Sequence, residues 1–253
     1  MVTNGEEMMR REQIAVIVAG LLVVLAGCNP ATEGLVKKTE ASVQVGGVSP
    51  TEGDIGSVGS QLLDPSTRSL IHEYGRTIKE YAKAYGIDWR LVLAVIEAES
   101  GFQWDAESHK GAVGLMQLMP ATSAELDARL DIEVLADPDD NIHGGVYYLR
   151  KLYDMFDGAE PSDRIMLTLA AYNAGVGRVY DAQLVGAYLH EDPTKWETVR
   201  DALPLLSKRY YTLHKNIWEE GRPKAGWFGN AGETVAYVGK TMECYDEYRL
   251  ILN

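Results

Sequence analysis

Cysteine is nearly absent: the 253 residues hold two, Cys28 and Cys244. Two thiols make neither a disulfide framework nor a cysteine zinc cluster. Histidine is scarce as well, with five scattered residues. The His-Glu-x-x-His helix of a zinc hydrolase does not occur, nor does the Gly-x-Ser-x-Gly elbow of a serine hydrolase. No metal and no cofactor is therefore expected. Positive charge is in deficit, with 24 Lys and Arg against 37 Asp and Glu, a formal net charge of −13. That balance argues against a nucleic-acid partner, and any anionic polymer must be held by local polar groups. Long apolar runs are limited to one, Ile14 to Ala26. Composition is otherwise that of a globular protein, 46% hydrophobic and 24% charged, which excludes a wholly disordered chain.

The apolar run is shorter than the ~20 residues of a comfortable membrane span and is preceded by Arg10 and Arg11. Its length and flanks fit a secretory signal peptide. It ends in Leu25-Ala26-Gly27-Cys28, which resembles a bacterial lipobox, where small residues admit the peptidase and the cysteine receives lipid. The alternative is an ordinary signal peptide or short anchor with an incidental cysteine. Glu6 and Glu7 do not suit the charged region of such a leader, which leaves Met8 or Met9 as an alternative start. The lipobox resemblance, with Asn29 after the cysteine, implies attachment through Cys28 to the periplasmic face of the outer membrane. Cys244 is then a free thiol, read as a small apolar residue of the last helix. From Asn29 to about Ser66 the chain is rich in Gly, Ser, Thr, Pro and Glu and reads as a flexible tether. As a random coil its ends lie ~30–35 Å apart. The expected organisation is a leader over 1–27, a lipid-anchored linker over 28–66, and one domain over 67–253.

That domain reads as mostly α. Leu70, Ile71, Tyr74, Ile78, Tyr81 and Tyr85 recur at helical spacing up to Gly86. Further helices are expected from about Trp89 to Ser100, after Pro120, from about Asp139 to Phe156, and from about Ser162 to Ala174, where Gly175 stops the run. The last runs from about Glu233 to Leu250, and no alternating pattern is long enough for a sheet.

The segment Leu91 to Ser100 carries chemistry. On a helix Val92, Val95, Ile96 and Glu99 share one face, while Glu97 points away. A carboxyl among apolar side chains is disfavoured in its charged form, so its pKa rises and it can donate a proton to a glycosidic oxygen near neutrality. A helix-end glutamate tipping into solvent fits the stripe equally well. The stretch downstream separates the two readings: Ser108, then Gly111-Ala112-Val113-Gly114-Leu115-Met116-Gln117-Leu118-Met119-Pro120-Ala121-Thr122. Three more blocks agree: Asn141-Ile142-His143-Gly144-Gly145, Ala171-Tyr172-Asn173-Ala174-Gly175 and Glu233-Thr234-Val235-Ala236-Tyr237-Val238.

Together these blocks resemble the soluble-type lytic transglycosylases, glycoside hydrolase family 23, whose SLT domain has a lysozyme-like fold. The stretch Trp196 to Ser207 with Tyr210 and Tyr211 is similar to the membrane-bound lytic transglycosylase F branch. The resemblance covers about Leu70 to Leu250. That branch normally has a solute-binding-like domain in front, for which the segment before Leu70 is too short. Its Gly-Tyr-Ala-Arg-Gly run is degenerate here, as Trp227 to Ala231 behind an apparent insertion around Glu219 to Ala225.

The resemblance implies Glu99 as the single catalytic acid and then base. Peptidoglycan would be cut between N-acetylmuramic acid and N-acetylglucosamine with closure of a 1,6-anhydro ring. It implies Ser108, Met116, Gln117, Met119, Tyr172, Asn173 and Tyr237 as substrate-binding residues, with Tyr172 as the hydrogen-bond partner of Glu99. Tyr172 and Tyr237 suit core packing too, and Asp105 matches no catalytic position and reads as solvated. The rivals are a goose-type lysozyme, a hydrolase of the same fold, and an inactive peptidoglycan-binding lipoprotein.

Overall fold

The computed structural model describes residues 62–252. The leader, Cys28 and most of the tether lie outside the described residues. Nine α-helices follow among the described residues: α1 Pro65–Tyr85, α2 Trp89–Ser100, α3 Pro120–Leu130, α4 Pro138–Asp154 and α5 Pro161–Ala174, then α6 Val176–Tyr188, α7 Trp196–Ala202, α8 Tyr211–Ile217 and α9 Ala231–Ile251. Two short 3₁₀ turns, Leu203–Leu206 and Lys208–Tyr210, join α7 to α8. Extended pairing among the described residues is confined to two isolated bridges, Glu107 with Val113 and Val113 with Leu118.

Local chemistry sets the boundaries. The Asp64 carboxylate accepts from the backbone N–H of Ser66 at 2.8 Å and Thr67 at 3.1 Å, and Pro65 opens α1. The Asp137 carboxylate caps α4 in the same way, again ahead of a proline. Gly86 ends α1 with φ 65°, a left-handed conformation that lets its N–H reach back to Ala82 and Lys83 carbonyls. Gly175 stops α5 as the sequence requires, but α6 starts at the next residue, so the glycine is a corner between two helices.

Helix α2 is the centre of the core. Leu91, Val92, Leu93, Ala94, Val95 and Ile96 are each at most 3% exposed, so the helix is apolar all round. At ~1.5–3 kcal/mol for each large aliphatic side chain buried, this burial places the helix end that carries Glu99 firmly. Polar links clamp α9 along α2. The Tyr245 hydroxyl donates to Asp88 at 3.0 Å, Arg90 donates to the Leu252 carbonyl at 3.0 Å, and the Tyr248 hydroxyl donates to Glu97 at 2.6 Å. On the other side α1 meets α4, where the Tyr81 ring stacks on His143 at 4.1 Å and the Tyr85 hydroxyl bonds its Nε2 at 2.7 Å.

A smaller apolar cluster of Leu118, Leu126 and Val134 forms a second lobe from α3 and the turns around it. Tyr148 and Tyr172 pack against both clusters and mark the seam. The inserted stretch near 219–225 is pinned by the buried Asp181 carboxylate, which accepts from the N–H of Lys224 at 3.2 Å and Ala225 at 2.8 Å. The degenerate run behind it also packs inward, with Phe228 buried under the Arg178 guanidinium and Trp227 against His214.

Candidate functional site

Glu99 stands in the last turn of α2, before Gly101 ends the helix in a left-handed conformation. The residue is partly buried and its carboxyl is enclosed on most sides. Burial raises its pKa from 4.5 to about 7, only partly offset by the Tyr237 hydroxyl, which favours the charged form. The apolar stripe that first singled out Glu99 is one side of a helix whose middle is buried on every side. The distinction from Glu97 lies in partners: Glu97 accepts the Tyr248 hydroxyl, whereas Glu99 has only the near approach of Tyr237.

Three groups from three helices converge here. Tyr172 of α5 and Tyr237 of α9 both have pKa values raised well above 10, first by burial and then by the Glu99 charge. The Tyr237 hydroxyl is a buried atom without a completed hydrogen bond; it leans toward Glu99 but falls outside full bonding geometry. The expected bond from Tyr172 to Glu99 is not formed. The Tyr172 hydroxyl donates instead to the Met116 carbonyl at 2.7 Å, so Tyr237 is the phenol that engages the carboxyl. Tyr148 packs its ring against Tyr172 at 5.5 Å and holds it from behind.

The turns from Ala106 to Met119 form the facing wall. Ser108 anchors a tight turn, its Oγ accepting from the Ala112 N–H at 2.9 Å, which leaves its hydroxyl proton to donate. Gln117, at φ 46°, spends its amide N–H groups on the Ala106 carbonyl at 2.9 Å and the Gly114 carbonyl at 3.0 Å. Its side-chain oxygen remains an acceptor. Met119, 42% exposed, presents apolar surface at the start of α3. Met116 does not line a cleft with its side chain, which is fully buried against α4. A Cβ built on Gly145 would come within 2.2 Å of its sulfur. What Met116 offers the site is its carbonyl. Asn173 is exposed beside Tyr172, and its Oδ1 accepts from Thr234 at 2.8 Å.

The residue that sequence reasoning left without a role is Asn141. It is 2% exposed and its carboxamide is fully committed. Oδ1 accepts from the Met116 N–H at 2.9 Å, while Nδ2 donates to the carbonyls of Val113 at 3.1 Å and Val134 at 3.2 Å. Gly114 is glycine because a Cβ there would lie 2.4 Å from that carboxamide. The Met116 peptide thus links Asn141 on one side to Tyr172 on the other. The signal was present as an Asn-Ile pair at the start of a helix, but its partners lie far away in sequence. Among the described residues no group of three or more His, Cys, Asp or Glu side chains is placed to share a metal ion.

A family model described as the transglycosylase SLT domain matches residues 76–185. A membrane-bound lytic murein transglycosylase F of Desulfosudis oleivorans is 36% identical over 67% of this chain and 35% of its own length. One from Pseudomonas putida is 31% identical over 76% of this chain and 37% of its own. The chain thus spans about a third of the length of these relatives. The solved complex of the 70-kDa soluble lytic transglycosylase with bulgecin A superposes with a TM-score of 0.50 at 23% identity, covering 75% of this chain and 26% of that one. That likeness shows the fold, a mostly helical, lysozyme-like one. The chain carries a transglycosylase SLT domain and is homologous to the membrane-bound lytic murein transglycosylases F.

Proposed function

We propose that this domain is a peptidoglycan lytic transglycosylase and that Glu99 alone supplies its acid and its base. The observation that carries the reading is one enclosed carboxyl whose pKa stands at about 7, facing the Tyr237 phenol with Tyr172 buried nearby. Protonated, Glu99 gives its proton to the oxygen that links N-acetylmuramic acid to N-acetylglucosamine, and the bond from that oxygen to the muramyl C1 breaks. The resulting carboxylate takes the proton of the same sugar's C6 hydroxyl, whose oxygen bonds to C1. A 1,6-anhydro ring closes, no water is consumed, and Glu99 is protonated again. A retaining or inverting hydrolase uses a second carboxylate to attack the sugar or to activate water. Asp105, the nearby candidate, is exposed and borders a different cavity.

Tyr237 is the donor that strengthens when Glu99 becomes charged. Ser108, Gln117 and Asn173 supply hydrogen bonds to the strand, Met119 supplies apolar contact, and Tyr172 holds the Met116 carbonyl wall in place. The anchoring reading belongs with this: a lipid on Cys28 and the following tether would hold the domain at the periplasmic face of the outer membrane.

The test is mass spectrometry of fragments released from purified cell wall by the full chain. Anhydromuramyl ends that vanish with Glu99→Gln are expected. Fragments heavier by one water would indicate a lysozyme instead. Bound wall without any fragments would leave a binding lipoprotein.

A further inference from the structure

An open cavity of about 220 Å³ lies apart from the group around Glu99. Its walls are Trp104 and Asp105 from the loop after α2, Val113 and Gly114 from the turns, and residues 134–138 with Asn141 at the start of α4. None of Glu99, Ser108, Gln117, Tyr172 or Tyr237 borders it.

Two of its walls are unexplained by packing. The Trp104 side chain is 58% exposed and Leu135 is 44% exposed, and they come from different segments to face one concavity. Apolar groups gathered on an exposed hollow mark a contact site more often than a scatter of single residues does. No Lys or Arg borders the cavity. Its charged groups are Asp105 and Asp137. The Asp105 carboxylate has no hydrogen bond or ion pair among the described residues, and Asp137 uses Oδ1 to cap α4, leaving Oδ2 open. The floor is rigid, because every polar atom of the Asn141 carboxamide is committed.

A flat indole beside groups that only accept hydrogen bonds suits the apolar face of a pyranose ring whose hydroxyls donate outward. The two carboxylates repel an anion, so a ring carrying a lactyl carboxylate is disfavoured and a neutral one is favoured. We propose that this cavity is an accessory saccharide site taking one N-acetylglucosamine-type ring, with Trp104 as its platform and Asp105 and Asp137 as acceptors. Its source is a glycan strand, so the inference rests on the peptidoglycan reading. Asn141, which lines the cavity, accepts from the Met116 N–H while the Met116 carbonyl accepts from Tyr172, so the cavity wall is tied through one residue to the surroundings of the acid.

The test is calorimetric titration of the full chain, as Glu99→Gln in detergent, with N,N′-diacetylchitobiose. Two molecules per chain are expected, falling to one when Trp104→Ala is added. Asp105→Asn is expected to weaken the second site roughly 10–150-fold, the value of one hydrogen bond to a charged group. Trp104 is largely exposed, so its removal does not undermine the fold. A single site before Trp104→Ala, or two sites that ignore it, overturns the accessory site. Trp104-dependent binding of a stem-peptide amine in place of the saccharide overturns it as well. Wild-type cleavage of cell wall is measured in parallel: cleavage without a second site defeats only this inference, and absence of cleavage defeats the functional reading.

Discussion

Replacing Glu99 by Gln should make the protein more stable, by an amount that grows from pH 4.5 to 7 and is constant above. In the fold the Glu99 carboxyl titrates at about 7, against an ordinary 4.5, because burial penalises its charge. The folded state therefore holds this proton more tightly than the unfolded chain. Between 4.5 and 7 the folded protein binds more protons, so stability falls as pH rises through that window. The penalty is absent below 4.5 and complete above 7. At ~1.36 kcal/mol for each step of one in pKa it amounts to about 3 kcal/mol. Glutamine is neutral at every pH and nearly the same shape, so it escapes the penalty. The assay is urea unfolding of both chains at pH 4, 6 and 8, taking only the difference between them so that other titrating groups cancel. The variant should match the wild type at pH 4 and resist on the order of 1–2 M more urea at pH 8. An equal gap at all three values, or a weaker variant at pH 8, would mean the carboxyl is solvated and the acid has lost its physical basis.

Two other substitutions probe the surroundings. Tyr237→Phe removes the hydroxyl that favours charged Glu99, so the alkaline fall of cleavage should move up by as much as about one pH unit. Its stability should not drop, because a buried donor without a completed bond costs ~1–3 kcal/mol; a downward move of the pH limb would contradict this. Asn141→Ala strips three buried hydrogen bonds and should lower unfolding free energy by at least about 3 kcal/mol. Asn141→Asp should not rescue it, since a carboxylate would face the Val113 and Val134 carbonyls, and a stability equal to wild type in either variant would show the wall to be held elsewhere.

Much of the helical framework was legible because its signals are local. Pro120 announces a helix start, and Gly86 and Gly175 announce two stops, through backbone chemistry that acts within a turn. The abrupt start of α6 was not legible, since only packing of two helices around Gly175 shows the glycine to be a corner. The candidate site was half legible. Its residues stand in recognisable blocks, but a block does not state which way a side chain points. Met116 reads as a cleft methionine, yet the absence of a side chain at Gly145 opens a hole in α4 that swallows it. The family's pattern points to Tyr172 as the partner of Glu99, and only the placement of the Met116 carbonyl diverts it from the acid.

By itself the sequence determined a mostly helical domain, the family its motifs resemble, and a glutamate placed at the end of an apolar helix. Those follow from spacing and from caps, which are properties of neighbouring residues. The tertiary structure decided that the helix is enclosed on all sides, which is what raises Glu99 to about 7. It decided too that Tyr237 rather than Tyr172 faces the carboxyl, and that Asn141 ties the wall to α4. Those are matters of desolvation and of bonds between distant segments, and they exist only once the helices have packed.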